Sequence, residues 1–208
     1  MRYDQSEPGF TQARLIANNK TGGAKGVKLL PGTFIEAGML GEDDSRKIFE
    51  SIFSCGGLML SQICNMTGLE PYTVQNWVKR KYVSNPKGRM YNVDQFSRLV
   101  IINMLKESLQ LDVIEKLLSY INGHLDDTSD DTITDSELYH LFVNLLLRLG
   151  ASYDREAAEQ IAEDVTSSYK EPVAGARRRL CKVLVIMTQT YYSAKLRREA
   201  ELLMAELD

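Results

Sequence analysis

Residues Leu60–Tyr91 read LSQICNMTGLEPYTVQNWVKRKYVSNPKGRMY, and this stretch decides the fold. Leu60, Ile63 and Cys64 share one face of a short helix, which Thr67-Gly68 closes. Pro71 suits the first turn of a second helix, where a missing N–H costs nothing. Val74, Trp77 and Val78 form the buried stripe of that helix. Its opposite face is then Tyr72, Gln75, Asn76 and Lys79, spaced i, i+3, i+4, i+7. Carboxamides pair with adenine edges in a major groove, and a lysine reaches guanine or phosphate. Tyr72 and Thr73 stand at the helix start, where free N–H groups meet phosphate oxygens. Arg80 and Lys81 follow at its end. In Val83–Tyr91, Asn85-Pro86-Lys87-Gly88 predicts a turn between two very short strands, with Lys87 and Arg89 on the hairpin. Helix, turn, helix, basic hairpin is the order of a winged helix-turn-helix.

Outward from this stretch the chain divides in three. Residues 1–42 are broken by Pro8-Gly9, Gly22-Gly23, Pro31-Gly32 and Gly41 and predict an irregular N-terminal arm, mobile or strapped on. The faint phosphate-loop look of TGGAKGVK (Thr21–Lys28) lacks the spacing such a loop needs. Residues 43–122 form the winged module. A helix opens it near Asp43 or Asp44, with an apolar stripe of Ile48, Phe49, Ile52 and Phe53. Phe96, Leu99 and Val100, widened by Ile101, Ile102 and Leu105, mark a helix covered on more than one side. Leu111, Ile114, Leu118 and Ile121 mark the next. Residues 123–208 are a helical region for dimerisation or effector binding. It begins with an acidic connector, and Thr134 and Glu137 then fit a capping box. Helices follow through Leu149, from about Arg155 to Ser168, and from near Ala174 to Leu207.

The net charge of -3 conceals an uneven distribution. From Lys79 to Arg98 the cations Lys79, Arg80, Lys81, Lys87, Arg89 and Arg98 face Asp94 alone. From Asp112 to Asp164 only Lys116, Arg148 and Arg155 oppose a long run of acids. A basic head joined to an acidic body suits polyanion binding by the head. Cys55, Cys64 and Cys181 contain no CxxC pair and read as buried free thiols of a reducing compartment. The polar N-terminus and the short apolar run Val183–Met187 predict a cytoplasmic protein with no membrane segment. His124 and His140 have no nucleophile or carboxylate constellation around them, so no enzyme, cofactor or metal is expected. Asp126–Glu137 partly imitates a calcium loop, but Thr128 and Asp131 stand where a ligand and a glycine belong, and a solvated linker is the better reading.

The stretch Leu60–Leu118 resembles the DNA-binding domain of MerR-type regulators. Thr73-Val74, Arg89-Met90-Tyr91, Asn92-Val93-Asp94 and Leu111-Asp112-Val113-Ile114 carry the resemblance. More closely, SQICNMTGLEPYTVQNWVKRKYVSNP, LVIINMLKESLQ and LLSYINGHLDDTSDD are similar to an uncharacterised bacterial family known only as a domain of unknown function, over roughly Ile48–Leu149. The resemblance implies a MerR-like fold and a regulatory role, but no operator and no effector. Gln75 stands where the MerR family usually has Arg, and Asn76-Trp77 replaces its aromatic pair. The place of the usual antiparallel coiled coil holds the acidic connector instead.

The expected fold is therefore all-α with a minimal β-hairpin wing, a MerR-like winged helix-turn-helix plus a C-terminal helical bundle. The expected function is DNA-binding transcription regulation. Double-stranded DNA would contact Tyr72, Thr73, Gln75, Asn76, Lys79, Arg80, Lys81, Lys87 and Arg89. A homodimer is expected, because one module reading about four to six base pairs gives little specificity alone. The alternatives are a protein-interaction adaptor that keeps the fold without binding DNA, and a ligand sensor that uses the helical body.

Overall fold

A helix with apolar residues on more than one side must be covered on more than one side, and Val93–Leu105 is such a helix. The computed structural model describes residues 29–37, 41, 44–123, 125 and 131–207. Its elements are α1 (Asp44–Phe53), β1 (Leu58–Met59), α2 (Leu60–Thr67), α3 (Pro71–Lys79), β2 (Met90–Tyr91), α4 (Val93–Leu105), α5 (Leu111–Asn122), α6 (Asp135–Leu149), α7 (Arg155–Val165) and α8 (Ala176–Met204). The protein is thus mostly helical, with one two-stranded antiparallel sheet among the described residues. Ten of the thirteen residues of α4 are buried, because α2, α5, α6 and α8 all pack against it. One contiguous apolar core runs from Leu30 through Trp77, Phe96 and Leu99 to Leu145, Leu184 and Tyr192. It continues across residue 123 without interruption.

The ends of the helices follow their sequence signals. Gly68 takes a left-handed conformation (φ 70°) and its N–H bonds the Cys64 carbonyl, closing α2. Pro71 occupies the first turn of α3. Asn92 Oδ1 accepts from the Gln95 N–H at 2.8 Å, and Gln95 Oε1 accepts from the Asn92 N–H at 2.8 Å, a reciprocal capping box on α4. Only half of the box expected on α6 forms. Thr134 Oγ1 accepts from the Glu137 N–H at 3.1 Å, but the Glu137 carboxylate turns to Arg46 on α1. The guanidinium bonds both carboxylate oxygens, a bidentate pair stronger than the single backbone N–H bond of a cap. Asp94 Oδ1 instead caps α6 from outside, accepting from Ser136 N–H and Oγ–H at 3.0 and 2.7 Å.

The wing differs from the expected hairpin. β2 pairs with β1 rather than with a strand inside Val83–Tyr91, in the register Leu58 with Tyr91 and Met59 with Met90. The reversal is at Lys87–Met90, where the Met90 N–H bonds the Lys87 carbonyl at 2.9 Å, not at Asn85–Gly88. Gly88 (φ 56°) and Arg89 (φ 67°) are its central residues, both with the positive φ of a type I′ turn. Asn85 cannot serve as a turn residue because Gln95 Nε2 donates to the carbonyls of Ser84 and Asn85, at 3.1 and 2.9 Å, and holds them on α4.

Part of the N-terminal region is strapped to the core. Leu29 and Glu36 form an antiparallel bridge, Leu30 is buried, and the Phe34 N–H bonds the Met66 carbonyl at 2.7 Å. Tyr139 Oη–H donates to the Pro31 carbonyl at 2.9 Å. The Thr21–Lys28 phosphate-loop segment, His124 and the Asp126–Asp130 part of the connector lie outside the described residues. Among the described residues no helix is long and apolar enough to cross a membrane.

Candidate nucleic-acid interface

α3 is held by what it buries. Val74 and Trp77 are almost wholly covered and Val78 is half-buried, which fixes the rotation of the helix about its axis. Tyr72 is consequently 76 % exposed, and Gln75 and Lys79 are exposed beside it. Thr73 and Asn76 are half-buried at the margins of the same face. Lys87 and Arg89 are exposed on the reversal of the wing.

The end of α3 is a full Schellman closure. Tyr82 N–H bonds the Trp77 carbonyl at 2.9 Å and Lys81 N–H bonds the Val78 carbonyl at 3.1 Å. The residue forced left-handed by this motif is usually glycine, yet here it is Lys81 (φ 64°). Lys81 and Arg89 are the only non-glycine residues with positive φ among the described residues, and both were singled out from the sequence as contacts. Unfavourable backbone held at two exposed cations fits a site where the side chain matters more than local stability.

Arg80 is placed differently. Its Nη2 donates to Tyr82 Oη at 2.7 Å, stands 3.7 Å from Asp112 Oδ1, and its guanidinium lies 4.8 Å from the centre of the Tyr82 ring. Tyr82 Oη–H donates in turn to Asp112, and this bond pushes the phenol above its usual range. Arg80 therefore latches the end of α3 to the start of α5, away from the face of Tyr72, Gln75 and Lys79.

Arg98, unlike Arg80, is not a surface cation. It is buried, its Nε donates to the Tyr82 carbonyl at 2.7 Å, and its Nη1 lies 3.2 Å from both carboxylate oxygens of Asp135. Burial pushes the Asp135 carboxyl up while the guanidinium pulls it down. The pair fastens the base of the wing to α6. A cation inside the run Phe96–Ile102 is the signal that could have exposed it. Sequence reasoning also missed Met59 and Met90, which stand side by side across the sheet and are exposed next to the wing.

A cavity of about 490 Å³ lies behind the wing, lined by Ser84, Asp94, Gln95, Arg98, Asn122 and Asp135 among others. These polar groups already bond one another or the backbone, as Asn122 does by accepting from the Thr132 and Ile133 N–H groups at 3.2 Å. Among the described residues no group of three or more His, Cys, Asp or Glu is placed to hold a metal. Of the three thiols expected to be buried, Cys181 is buried and Cys64 half-buried, whereas Cys55 is exposed because it follows the last turn of α1.

Residues 57–142 match the model of the family described as "Domain of unknown function (DUF1836)", less than half of the chain. The matched segment runs from the glycine before β1 into α6, so it contains α3, the wing and the Arg98–Asp135 pair. The chain is also similar to the "Uncharacterized protein YkrK" of Bacillus subtilis (strain 168), 31% identical over 84 residues. That similarity covers 38% of this chain and 36% of the relative, so the chain spans little more than a third of the relative's length. No solved structure matches. The segment thus falls with an uncharacterised domain family, at bounds narrower than the Ile48–Leu149 expected from the sequence.

Proposed function

We propose that the protein is a DNA-binding transcriptional regulator whose α2, α3 and wing act as a winged helix-turn-helix of MerR type. The observation that carries this reading is the exposure of Tyr72, Gln75 and Lys79 on the face of α3 opposite its buried stripe, together with the exposed cations Lys81 after the helix and Lys87 and Arg89 on the wing. α3 enters the major groove, where Gln75 and Asn76 read base edges. Lys79, Lys81, Lys87 and Arg89 supply phosphate contacts, and those contacts supply most of the affinity. Arg80 supports the end of the helix rather than the DNA. A second copy reads a second half-site about one helical turn, roughly 34 Å, away.

The test is anisotropy titration of the full chain with a genomic DNA pool at several salt concentrations. Salt-dependent affinity with a slope of several units in log–log form is expected, at about 0.9 per phosphate neutralised. Affinity absent for every pool at low salt would remove the reading and favour an adaptor, for which the exposed Met59 and Met90, paired across the sheet, would be the contact surface.

A further inference from the structure

One buried cation behind the wing has bonding capacity that the protein itself does not use. The Arg98 side chain is 6% exposed. Its Nε donates to the Tyr82 carbonyl and its Nη1 to Asp135. Its Nη2 carries two further N–H groups, which have no acceptor among the described residues. That nitrogen is not sealed in the core. The fully buried side-chain atoms without a partner among the described residues are Glu107 Oε2, Asn144 Oδ1 and Tyr153 Oη. The space that Arg98 lines is the cavity of about 490 Å³, within the range of roughly 300–1,000 Å³ typical of small-molecule sites.

Asp94 lines the same cavity, one turn of α4 before Arg98. Its Oδ1 caps α6 through Ser136, while its Oδ2 has no partner among the described residues. Residues one turn apart stand about 5–6 Å from each other at Cβ, so an unused donor pair and an unused carboxylate oxygen share one wall. The charges narrow the ligand. Asp135 already balances Arg98, and Asp94 adds negative charge. A bare anion would satisfy Nη2 and be repelled by Asp94. A bare amine would satisfy Asp94 and leave Nη2 unpaired. A zwitterion with its carboxylate on Nη2 and its ammonium on Asp94 satisfies both through charge-assisted bonds. Leu118, Leu125 and Ile133 form an apolar part of the wall, suited to an aliphatic side chain.

We infer that this cavity binds a free α-amino acid with an aliphatic side chain, its carboxylate on Arg98 Nη2 and its ammonium on Asp94 Oδ2. The same wall holds the wing. Arg98 Nε bonds the Tyr82 carbonyl, and Gln95, which also lines the cavity, bonds the carbonyls of Ser84 and Asn85. An occupied cavity therefore steadies the wing, and its consequence for DNA is the one part that rests on the reading above. Binding is measured without DNA, by thermal melts and amide exchange of the full chain with millimolar leucine, isoleucine or valine. At least one of them should raise Tm, further with each increase in concentration, and should slow exchange at Tyr82–Met90. For leucine, 3-methylbutylamine and 4-methylpentanoate each lack one of its two charges and should leave Tm unmoved. Asp94→Asn keeps an oxygen for Ser136, so it should retain the helical circular dichroism yet bind about tenfold more weakly or worse. A Tm unmoved by all three amino acids, an equal rise with either leucine analogue, or undiminished binding by Asp94→Asn would overturn the site. A protein that binds leucine but no DNA would keep this site and lose only the DNA reading.

Discussion

Arg89 sets local stability against charge. Its left-handed backbone costs roughly 1 kcal/mol relative to glycine, and its side chain is exposed. Arg89→Gly should therefore raise the urea midpoint, by about 0.5–1 kcal/mol of stability. The same change should weaken DNA binding and lower the salt slope by about one unit. Opposite signs from one substitution are hard to obtain if the arginine is mere surface, and a fall in both stability and affinity would count against this account. Lys79 and Arg80 are adjacent yet should behave differently. Lys79→Ala should reduce DNA affinity and salt slope with stability within about 0.5 kcal/mol of wild type. Arg80→Ala should act mainly on stability, by about 1 kcal/mol, because it removes the partner of Tyr82 and Asp112 at a half-exposed site where solvent weakens the ion pair. Equal salt slopes for the two alanine variants would argue that Arg80 swings out to the nucleic acid.

Between elements the decisive contact is Arg98 with Asp135. Arg98→Met leaves a buried carboxyl unpaired and the Tyr82 carbonyl without its donor, so it should cost about 3–5 kcal/mol in urea unfolding. The double variant Arg98→Met, Asp135→Leu should recover a large part of that loss, because two apolar groups need no partner. If the double variant were as unstable as the single one, the pair would not be what fastens the wing. Amide exchange at Tyr82–Met90 should quicken in the single variant, since the Tyr82 carbonyl then loses its tie to α4 and Gln95 alone still holds the Ser84 and Asn85 carbonyls there. This contact also shows where the sequence stops being legible. The stripes of α2, α3, α4 and α5 and the exposed face of α3 follow from spacing alone. The partner of Arg98 lies 37 residues away across an acidic connector, and no local pattern announces it. β1 and β2 are two residues each, too short for an alternating period to appear. The reversal of the wing sits at Gly88-Arg89 because Gln95 holds Ser84 and Asn85, a tertiary bond that turn chemistry does not encode. Glu137 was legible as a cap residue, but the competing Arg46 is 91 residues distant.

On the scale of the whole molecule, one core joins the wing-bearing segment to the later helices, so pH acts on both together. Its titratable centre is His140 on α6. The ring is buried, its Nδ1 is 3.0 Å from Ser45 Oγ, and Phe49 and Tyr139 pack edge-on to it at 5.1 and 5.7 Å. Burial, with help from Arg46 on α1, pulls its pKa from 6.5 down to about 4, against the weaker opposing pull of Glu137 and Asp94. The folded protein thus holds a neutral histidine that the unfolded chain would protonate below pH 6.5. The stabilisation is fully present above that pH and is lost as pH falls towards 4. A difference of about 2.5 units corresponds to a loss of about 3 kcal/mol across the window. Glu137 acts in the same direction at lower pH, because the Arg46 hydrogen bond holds its carboxyl below the usual range. Asp135, pushed up by burial, acts in the opposite direction. His140→Asn keeps a side-chain partner for Ser45 and leaves both carboxyls in place, so the difference between its stability curve and that of wild type isolates the histidine. Urea unfolding from pH 7.5 to 4.5 should show wild type losing about 2–3 kcal/mol more than His140→Asn. Because the core is continuous, tryptophan fluorescence at Trp77 on α3 and far-ultraviolet circular dichroism of the whole chain should report one transition with a common midpoint at each pH. Parallel curves for the two proteins would mean that His140 has the same pKa in the folded and unfolded states, and separate midpoints would mean that the segment bearing Trp77 unfolds independently of the later helices.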